Sequence, residues 1–415
     1  MGSDLEIRKP GDMSVDAIDE GSTRRRPSLA PWSSLRQFPS RRWCLPVVAL
    51  FAVVVAGCSM ESGPENGQNS LRPVGRDAVK IDNLFTPIFW VATVIGVLVV
   101  GATIVFAIKF RARKGSDDRP KQIHGSTPLE IGWTIIPALI LAVVAVPTIS
   151  TVFDLASEPK DPVEITVVGK QWWWQFDYVK QEGIDQKVIT ANEMHIPTGR
   201  DIFLDLQACD PSLGGGFEGG PGCNVIHSFW VPELAGKRDV VPGRSNTLRL
   251  RADEPGTYLG QCAEYCGLSH ANMRFRVIAE SPADFADWIA SQQEGPAVPV
   301  DDSGDADELF TTKFQCTNCH TTEDSSLSVY GPNLTHLASR QTFASGYFEL
   351  TRARLIDWIH DAPALVPMES EGCRLPPGKG VCVGMPSFSR DTPAGLPVMT
   401  RQEAATIADW LLELK

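Results

Sequence analysis

The stretch "GQCAEYCGLSHANMRF", beginning at Gly260, places Cys262, Cys266, His270 and Met273 within twelve residues. Three chemistries compete for that spacing. A disulfide would consume both thiols and leave His270 and Met273 without a role. Zinc accepts cysteine and histidine but rarely a thioether. Copper takes thiolate, imidazole and thioether together, and a loop between β-strands is a usual place for them. One blue copper ion needs a single cysteine, whereas two thiolates can bridge two copper ions, each completed by a histidine and a weak axial ligand. A second histidine must then come from elsewhere. Of the seven in the chain, only His195 and His227 lie in the same region, and His227, in "NVIHSFWVP" on an upstream strand, is the better placed.

A second stretch, "FQCTNCHTTE", carries C-x-x-C-H, the attachment signature of a c-type haem. Cys316 and Cys319 would form thioethers to the vinyl groups, and His320 would be the proximal iron ligand. A thiol redox or zinc site is the competing reading. "YGPNLTHLASR", an amphipathic helix in "RLIDWIHDAP" and a terminal helix in "EAATIADWLLEL" follow in an order that closes a small all-α core. A thioether opposite His320 raises the haem potential, and Met368, Met385 and Met399 are the available ones. Met399 reads as a core position near the start of the last helix. Cys373 and Cys382 lie between the other two and suggest a disulfide-closed insertion.

The elements that must position these residues are legible in the pattern. From Val163 to Glu280 six β-rich runs follow one another: "VEITVVGKQWWWQFDYV", "DIFLDLQA", "NVIHSFWVP", "SNTLRLRA", "GTYLGQC" and "MRFRVIAE". Gly, Pro, Asn and Asp separate them, which predicts an antiparallel sandwich or barrel with the copper-type motif between its last two strands. Cys209 and Cys223 bracket a glycine-rich insert. In an exported domain a disulfide closing that loop is the plain reading, with extra metal ligands as the alternative. "SQQEGPAVPVDDSGDADEL" is poor in apolar residues and reads as a linker.

Two apolar runs precede the β-rich part. No charged residue occurs from Asn83 to Ile108 or from Ile131 to Phe153. At ~1.5 Å per residue either run crosses the ~30 Å of a bilayer's hydrocarbon. The loop between them holds Lys109, Arg111, Arg113, Lys114, Arg119 and Lys121, so it belongs in the cytoplasm and both flanks lie outside. The shorter run "CLPVVALFAVVVAGC" follows Arg41-Arg42 and ends at Cys58, as a lipoprotein-type signal would. An uncleaved membrane helix is the alternative. The expected organisation is a leader and signal over 1–57, a linker over 58–80 and a membrane hairpin over 81–156. A β-sandwich follows over 162–281, then a linker over 282–304 and an all-α domain over 305–415. Ten cysteines, mostly in pairs, suit an oxidising compartment, and a net charge of −12 excludes nucleic acid as the partner.

"HSFWVPELAGKRDVVPG" together with "GQCAEYCGLSHANM" resembles subunit II of haem–copper cytochrome c oxidases over residues 81–281. The resemblance implies a cupredoxin domain with a dinuclear copper (CuA) centre. Its side-chain ligands would be His227, Cys262, Cys266, His270 and Met273, with Glu264 contributing its backbone carbonyl. The Glu264 side chain would face a magnesium or manganese ion at the subunit I interface. In "GKQWWWQFDY" it assigns Trp172 to the electron donor's side, with Trp174 on the same strand face. In "TPLEIGWTIIP" it assigns Glu130 to the mouth of a proton channel, where a solvated charge is the plainer reading. Asn224 stands where many relatives carry Asp, which weakens the case for an acidic docking patch.

The C-terminal part resembles class I cytochromes c, and "MPSF" then makes Met385 the sixth haem ligand in preference to Met368. The whole resembles subunit II of a caa3-type oxidase in a bacterial cell membrane, multi-pass, with its large domains on the exoplasmic side. Its partners would be subunit I, other oxidase subunits, membrane lipid and an upstream donor such as a bc-type complex or cytochrome c. The alternatives are a CuA and haem c relay for another terminal reductase, such as a nitric oxide reductase, and a copper-handling protein. Quinol-oxidase relatives lack the copper ligands.

Overall fold

The computed structural model describes residues 68–111, 122, 124–208, 225–296, 305–327, 330–368, 383–390 and 395–415. Cys58, the Cys209–Cys223 and Cys373–Cys382 pairs, Asn224 and most of the basic loop after Lys109 lie outside the described residues.

Two helices come first, α1 (Arg76–Lys109) and α2 (Thr127–Ala156), of 34 and 30 residues. Both are long and apolar enough to span a membrane, with mean hydropathy of 2.7 and 2.4 over their most apolar windows. Their side chains face outward along the whole apolar length, as lipid-facing helices require. Pro87, Pro137 and Pro147 sit inside them. α1 starts five residues before the expected boundary at 81, because its first turn does electrostatic work. Asp77, 1% exposed, receives two hydrogen bonds from Arg249 at 2.9 and 3.0 Å. The same guanidinium reaches Asp154 at the far end of α2 at 3.4 Å. One arginine thus ties both helix ends to the base of the domain that follows.

That domain is a sandwich of two five-stranded sheets. The strands are β1 (Val163–Lys170), β2 (Trp173–Tyr178), β3 (Val188–Ala191), β4 (Glu193–Pro197) and β5 (Ile202–Gln207). They continue as β6 (His227–Trp230), β7 (Arg238–Val240), β8 (Asn246–Leu250), β9 (Gly256–Cys262) and β10 (Arg274–Glu280). One sheet runs β3-β2-β1-β5-β8 and the other β4-β10-β9-β6-β7. The expected sandwich is present, but it is not purely antiparallel: β1 pairs with β5 and β4 with β10 in parallel. Alternation reports which face is buried and not the strand's direction. β3, β4 and β7 are too short to show it at all. Trp174, Phe229 and Phe275 meet at the centre, with ring centroids 4.4 to 5.4 Å apart.

The segment from 282 is not a linker throughout. Residues Pro282–Gln293 form α3, whose N-cap Ser281 accepts a bond from the Asp284 amide. Phe285 and Ile289 are buried against the sandwich, and Trp288 stacks on His195 at 4.1 Å. Phe285, Trp288, Ile289 and Gln292 have helical spacing, which the polar residues around them mask.

The C-terminal domain opens with a helical segment, Asp305–Asp307, that widens into a π-helical turn, Glu308–Lys313. A 3-10 turn spans Cys316–Asn318, and a small hairpin pairs β11 (Thr342–Phe343) with β12 (Phe348–Glu349). Both expected helices are present as α4 (Arg352–Leu365) and α5 (Arg401–Leu411). α4 kinks at Asp361, ahead of Pro363. α5 starts with a reciprocal cap between Thr400 and Glu403. Phe310, Phe314, Leu355, Ile359, Met399, Ile407 and Leu411 form a separate core, with Met399 1% exposed.

Candidate metal centre and the cavity beside it

Three strand ends and one loop converge on the copper-type motif. His227 begins β6, Cys262 ends β9, and Met273 immediately precedes β10. Between β9 and β10 the loop carries Glu264, Cys266 and His270. Cys262 Sγ lies 3.8 Å from Cys266 Sγ and 3.9 Å from His227 Nδ1. Cys266 Sγ lies 3.6 Å from His270 Nδ1 and 3.8 Å from Met273 Sδ. The Glu264 carbonyl is 3.2 Å from Cys262 Sγ. Both cysteines are free thiols, and the ligand atoms of His227, Cys262 and Cys266 all lie within 4.8 Å of one another, close enough to hold one metal ion.

The donors therefore fit the group that the spacing suggested. Six donor atoms converge, two more than tetrahedral zinc takes, and three of them are sulfur. The hydrogen bond with Cys266, helped by His227, holds the Cys262 thiol far below the ordinary range. The same contact, with burial, raises Cys266. A second proton lost from this pair leaves two thiolates side by side, the state that softer cations select. His227 Nε2 is buried without a hydrogen-bond partner among the described residues.

Trp172 is not on the strand. β2 begins at Trp173, so Trp172 stands in the preceding turn and the expected shared face with Trp174 does not hold. Trp174 fills the core beneath His227, at 5.9 Å between rings. Trp172 instead lies along the motif: its indole Nε1 donates to the Cys266 carbonyl at 2.9 Å. Gln171 Nε2, which carried no signal in the sequence, donates to the same oxygen at 2.7 Å. Gly267 makes this contact possible. Its φ is +110°, and a Cβ there would stand 2.9 Å from Gln171 Nε2 and 3.2 Å from the Trp172 ring.

Trp172 is only 6% exposed, because the C-terminal domain covers it. It borders a largely apolar cavity whose other walls include Cys316, Cys319, His320, Met368, Met385 and Phe314. Trp172 thus faces this chain's own C-terminal domain. The cavity fits a haem. His320 Nδ1 is 2.7 Å from the Pro332 carbonyl, which fixes that nitrogen as the donor and leaves Nε2 for iron. Gly331 lies so close to the imidazole that a Cβ would be 2.6 Å from His320 Cε1. Cys316 and Cys319 are free, and burial raises their thiols to about 12 and about 11. Met385 packs against the C-terminal core, whereas Met368 packs against the sandwich.

Glu130 belongs to neither group. It stands in the first turn of α2, at the opposite end of that helix from Asp154, ~36 Å away at 1.5 Å per residue. The Glu264 side chain accepts from the Tyr265 amide at 3.2 Å.

Residues 163–280 match the family described as cytochrome c oxidase subunit II, periplasmic domain, and residues 72–151 match its transmembrane domain. The cytochrome c oxidase subunit 2 of Alkalihalophilus pseudofirmus is 35% identical over 325 residues, covering 77% of this chain and 87% of that protein. Quinol oxidase subunit 2 of Bacillus subtilis is 32% identical over 61% of this chain and 74% of its own length. The periplasmic domain of subunit II of cytochrome oxidase (CoxB) of Bradyrhizobium japonicum covers 32% of this chain and 95% of its own, at 27% identity and a TM-score of 0.27. Two matched regions that coincide with the helix pair and the metal-donor sandwich, and a relative spanned over 87% of its length, make this chain a member of the cytochrome c oxidase subunit II family.

Proposed function

We propose that this chain is the electron-receiving subunit of a haem–copper terminal oxidase of the caa3 type. Electrons reach it on a covalent haem c and leave through a dinuclear CuA centre to subunit I, where oxygen is reduced and protons are pumped. The observation that carries this reading is the cluster of six donors around two adjacent free thiols, since no other group uses all of them. His227, Cys262, Cys266, His270, Met273 and the Glu264 carbonyl hold the copper. Cys316, Cys319 and His320 hold the haem, with Met385 as the sixth ligand. When bound, the two groups would supply one-electron carriers, the copper on the sandwich donors and the haem in the cavity that Trp172 borders.

The chain's own part is to hold these sites close and dry. Gln171 and Trp172 fix the Cys266 carbonyl, the Pro332 carbonyl fixes the His320 tautomer, and the domain contact excludes water from Trp172. The Glu264 carboxylate would meet magnesium or manganese at the subunit I interface, and Glu130 would receive protons at the membrane edge. The donor is a bc-type complex or cytochrome c, and the membrane is that of a bacterial cell, with residues after α2 on the exoplasmic side. The domains are those of the sequence reading, with the linker shortened to follow α3. The metal donors favour a cytochrome c oxidase over the quinol-oxidizing relatives.

Metal and haem analysis of the purified chain tests the proposal. Two coppers, one covalent haem and a seven-line mixed-valence EPR signal are expected. A single blue copper, or zinc without that signal, would refute the bridging role of Cys262 and Cys266.

A further inference from the structure

Among the hydrogen bonds that cross between the sandwich and the C-terminal domain, one set converges on a buried carboxylate that no metal or haem site uses. Glu193 begins β4, an edge strand, and is 1% exposed. Its Oε1 accepts from the Gln341 amide at 3.1 Å, the Thr342 amide at 2.7 Å and the Thr342 hydroxyl at 2.6 Å. Its Oε2 accepts from the Gln341 amide at 3.1 Å. Every one of these donors belongs to the C-terminal domain. A carboxylate without such donors is costly to bury, and bonds to a charged acceptor are about twice as strong as neutral ones. The burial of Glu193 is therefore conditional on docking.

The latch connects directly to both sites. Preceding Glu193, Asn192 lines the haem cavity and accepts from the Trp174 amide at 2.9 Å. Beyond Thr342 the chain reaches Ser345, whose hydroxyl donates to the Trp172 carbonyl and whose own carbonyl accepts from the Arg274 amide at 3.1 Å. Arg340, beside the latched residues, lines the same cavity and feels the Glu193 charge. Arg276, in register with Glu193 on β10, extends the contact to Glu349 at 2.9 Å.

We propose that Glu193 is a positioning residue for electron transfer within the chain: its carboxylate latches the C-terminal domain onto the sandwich edge and keeps the haem cavity against Trp172. The domain is then docked as well as tethered. This rests on the haem c and CuA reading given above.

The test compares the loaded full chain with Glu193→Ala, Glu193→Gln and Thr342→Val. A flash-excited ruthenium–bipyridine photoreductant, regenerated by a sacrificial amine donor, reduces the haem by one electron, and first-order electron transfer to copper is followed optically. Hydrogen exchange is measured in parallel at 341–345. Glu193→Ala should slow the transfer by roughly tenfold or more, since small misplacements cost rates of that order. It should also raise exchange at Gln341 and Thr342 while the mixed-valence signal and haem spectrum stay unchanged. Glu193→Gln, which keeps an acceptor oxygen, should recover most of the rate, and Thr342→Val should slow it less than Glu193→Ala. If Glu193→Ala loads no copper, Thr342→Val decides, from the opposite side of the contact. A rate within about twofold of wild type in the deciding variant, on a scale where such misplacements cost far more, would overturn the latch. Failure of the underlying reading looks different, because the wild-type chain would then lack the haem band or the seven-line signal.

Discussion

In the sandwich, the proposed copper donors hang from strand ends packed over an aromatic cluster. Cys266 and Met273 are fully buried, and Trp174, Phe229 and Phe275 fill the space beneath them. In the C-terminal domain, Cys316, Cys319, His320 and Met385 instead line a shared hollow, with Phe314 on its wall. The first region has a core to which a cofactor is added. The second has a core that lines a cavity, which the proposed haem would fill. A metal centre must fix short distances, which strands do well, whereas a macrocycle has a large apolar area that can serve as the domain's own interior.

The strongest way to break that contrast is to remove the haem attachment. Replacing Cys316 and Cys319 with Ser should abolish protection from hydrogen exchange across 305–415 and leave residues 163–280 protected. Retained protection in the C-terminal domain would show that its core needs no haem. Next in size, Cys262→Ser should abolish the mixed-valence EPR signal while thermal unfolding of the sandwich moves by only a few degrees, on the order of 1 kcal/mol. A collapse of the sandwich would mean that copper, and not the aromatic cluster, holds it.

Phe275→Ala should cost the sandwich about 3–5 kcal/mol in denaturant unfolding, with or without copper, because the ring is 1% exposed at the centre of that cluster. The smallest effect concerns pH. Burial lowers the pKa of His336 from its ordinary 6.5, against the Lys415 carbonyl and with help from the charge on Arg340. The unfolded chain binds the extra proton first, so this contribution to stability is present above about 6.5 and is lost as the pH falls below it. Urea midpoints of the C-terminal domain should drop between about pH 7 and 5, and His336→Gln should flatten the drop.

Much of both sites was legible in residue types and spacing. The donor loop needed only Cys262, Cys266, His270 and Met273 on a turn between two strands. C-x-x-C-H announced the second site. What stayed hidden depends on contacts between segments far apart in sequence. Trp172 looked like a strand residue because "WWW" alternates as a strand would, yet the strand begins one residue later, at Trp173, and Trp172 belongs to the turn before it. Glu193 and Gln171 are single polar residues, and nothing local distinguishes them from solvated ones. α3 was read as linker because Phe285, Trp288 and Ile289 stand among polar residues, and only the sandwich surface gives them a partner. The parallel strand pairs were invisible for the same reason.

The most direct test of the whole account is to reduce the haem by a flash in the purified chain and watch the copper absorption. The account predicts transfer at a rate independent of protein concentration, because one chain would hold both carriers. A rate that rises in proportion to concentration, or no copper reduction at all, would contradict it.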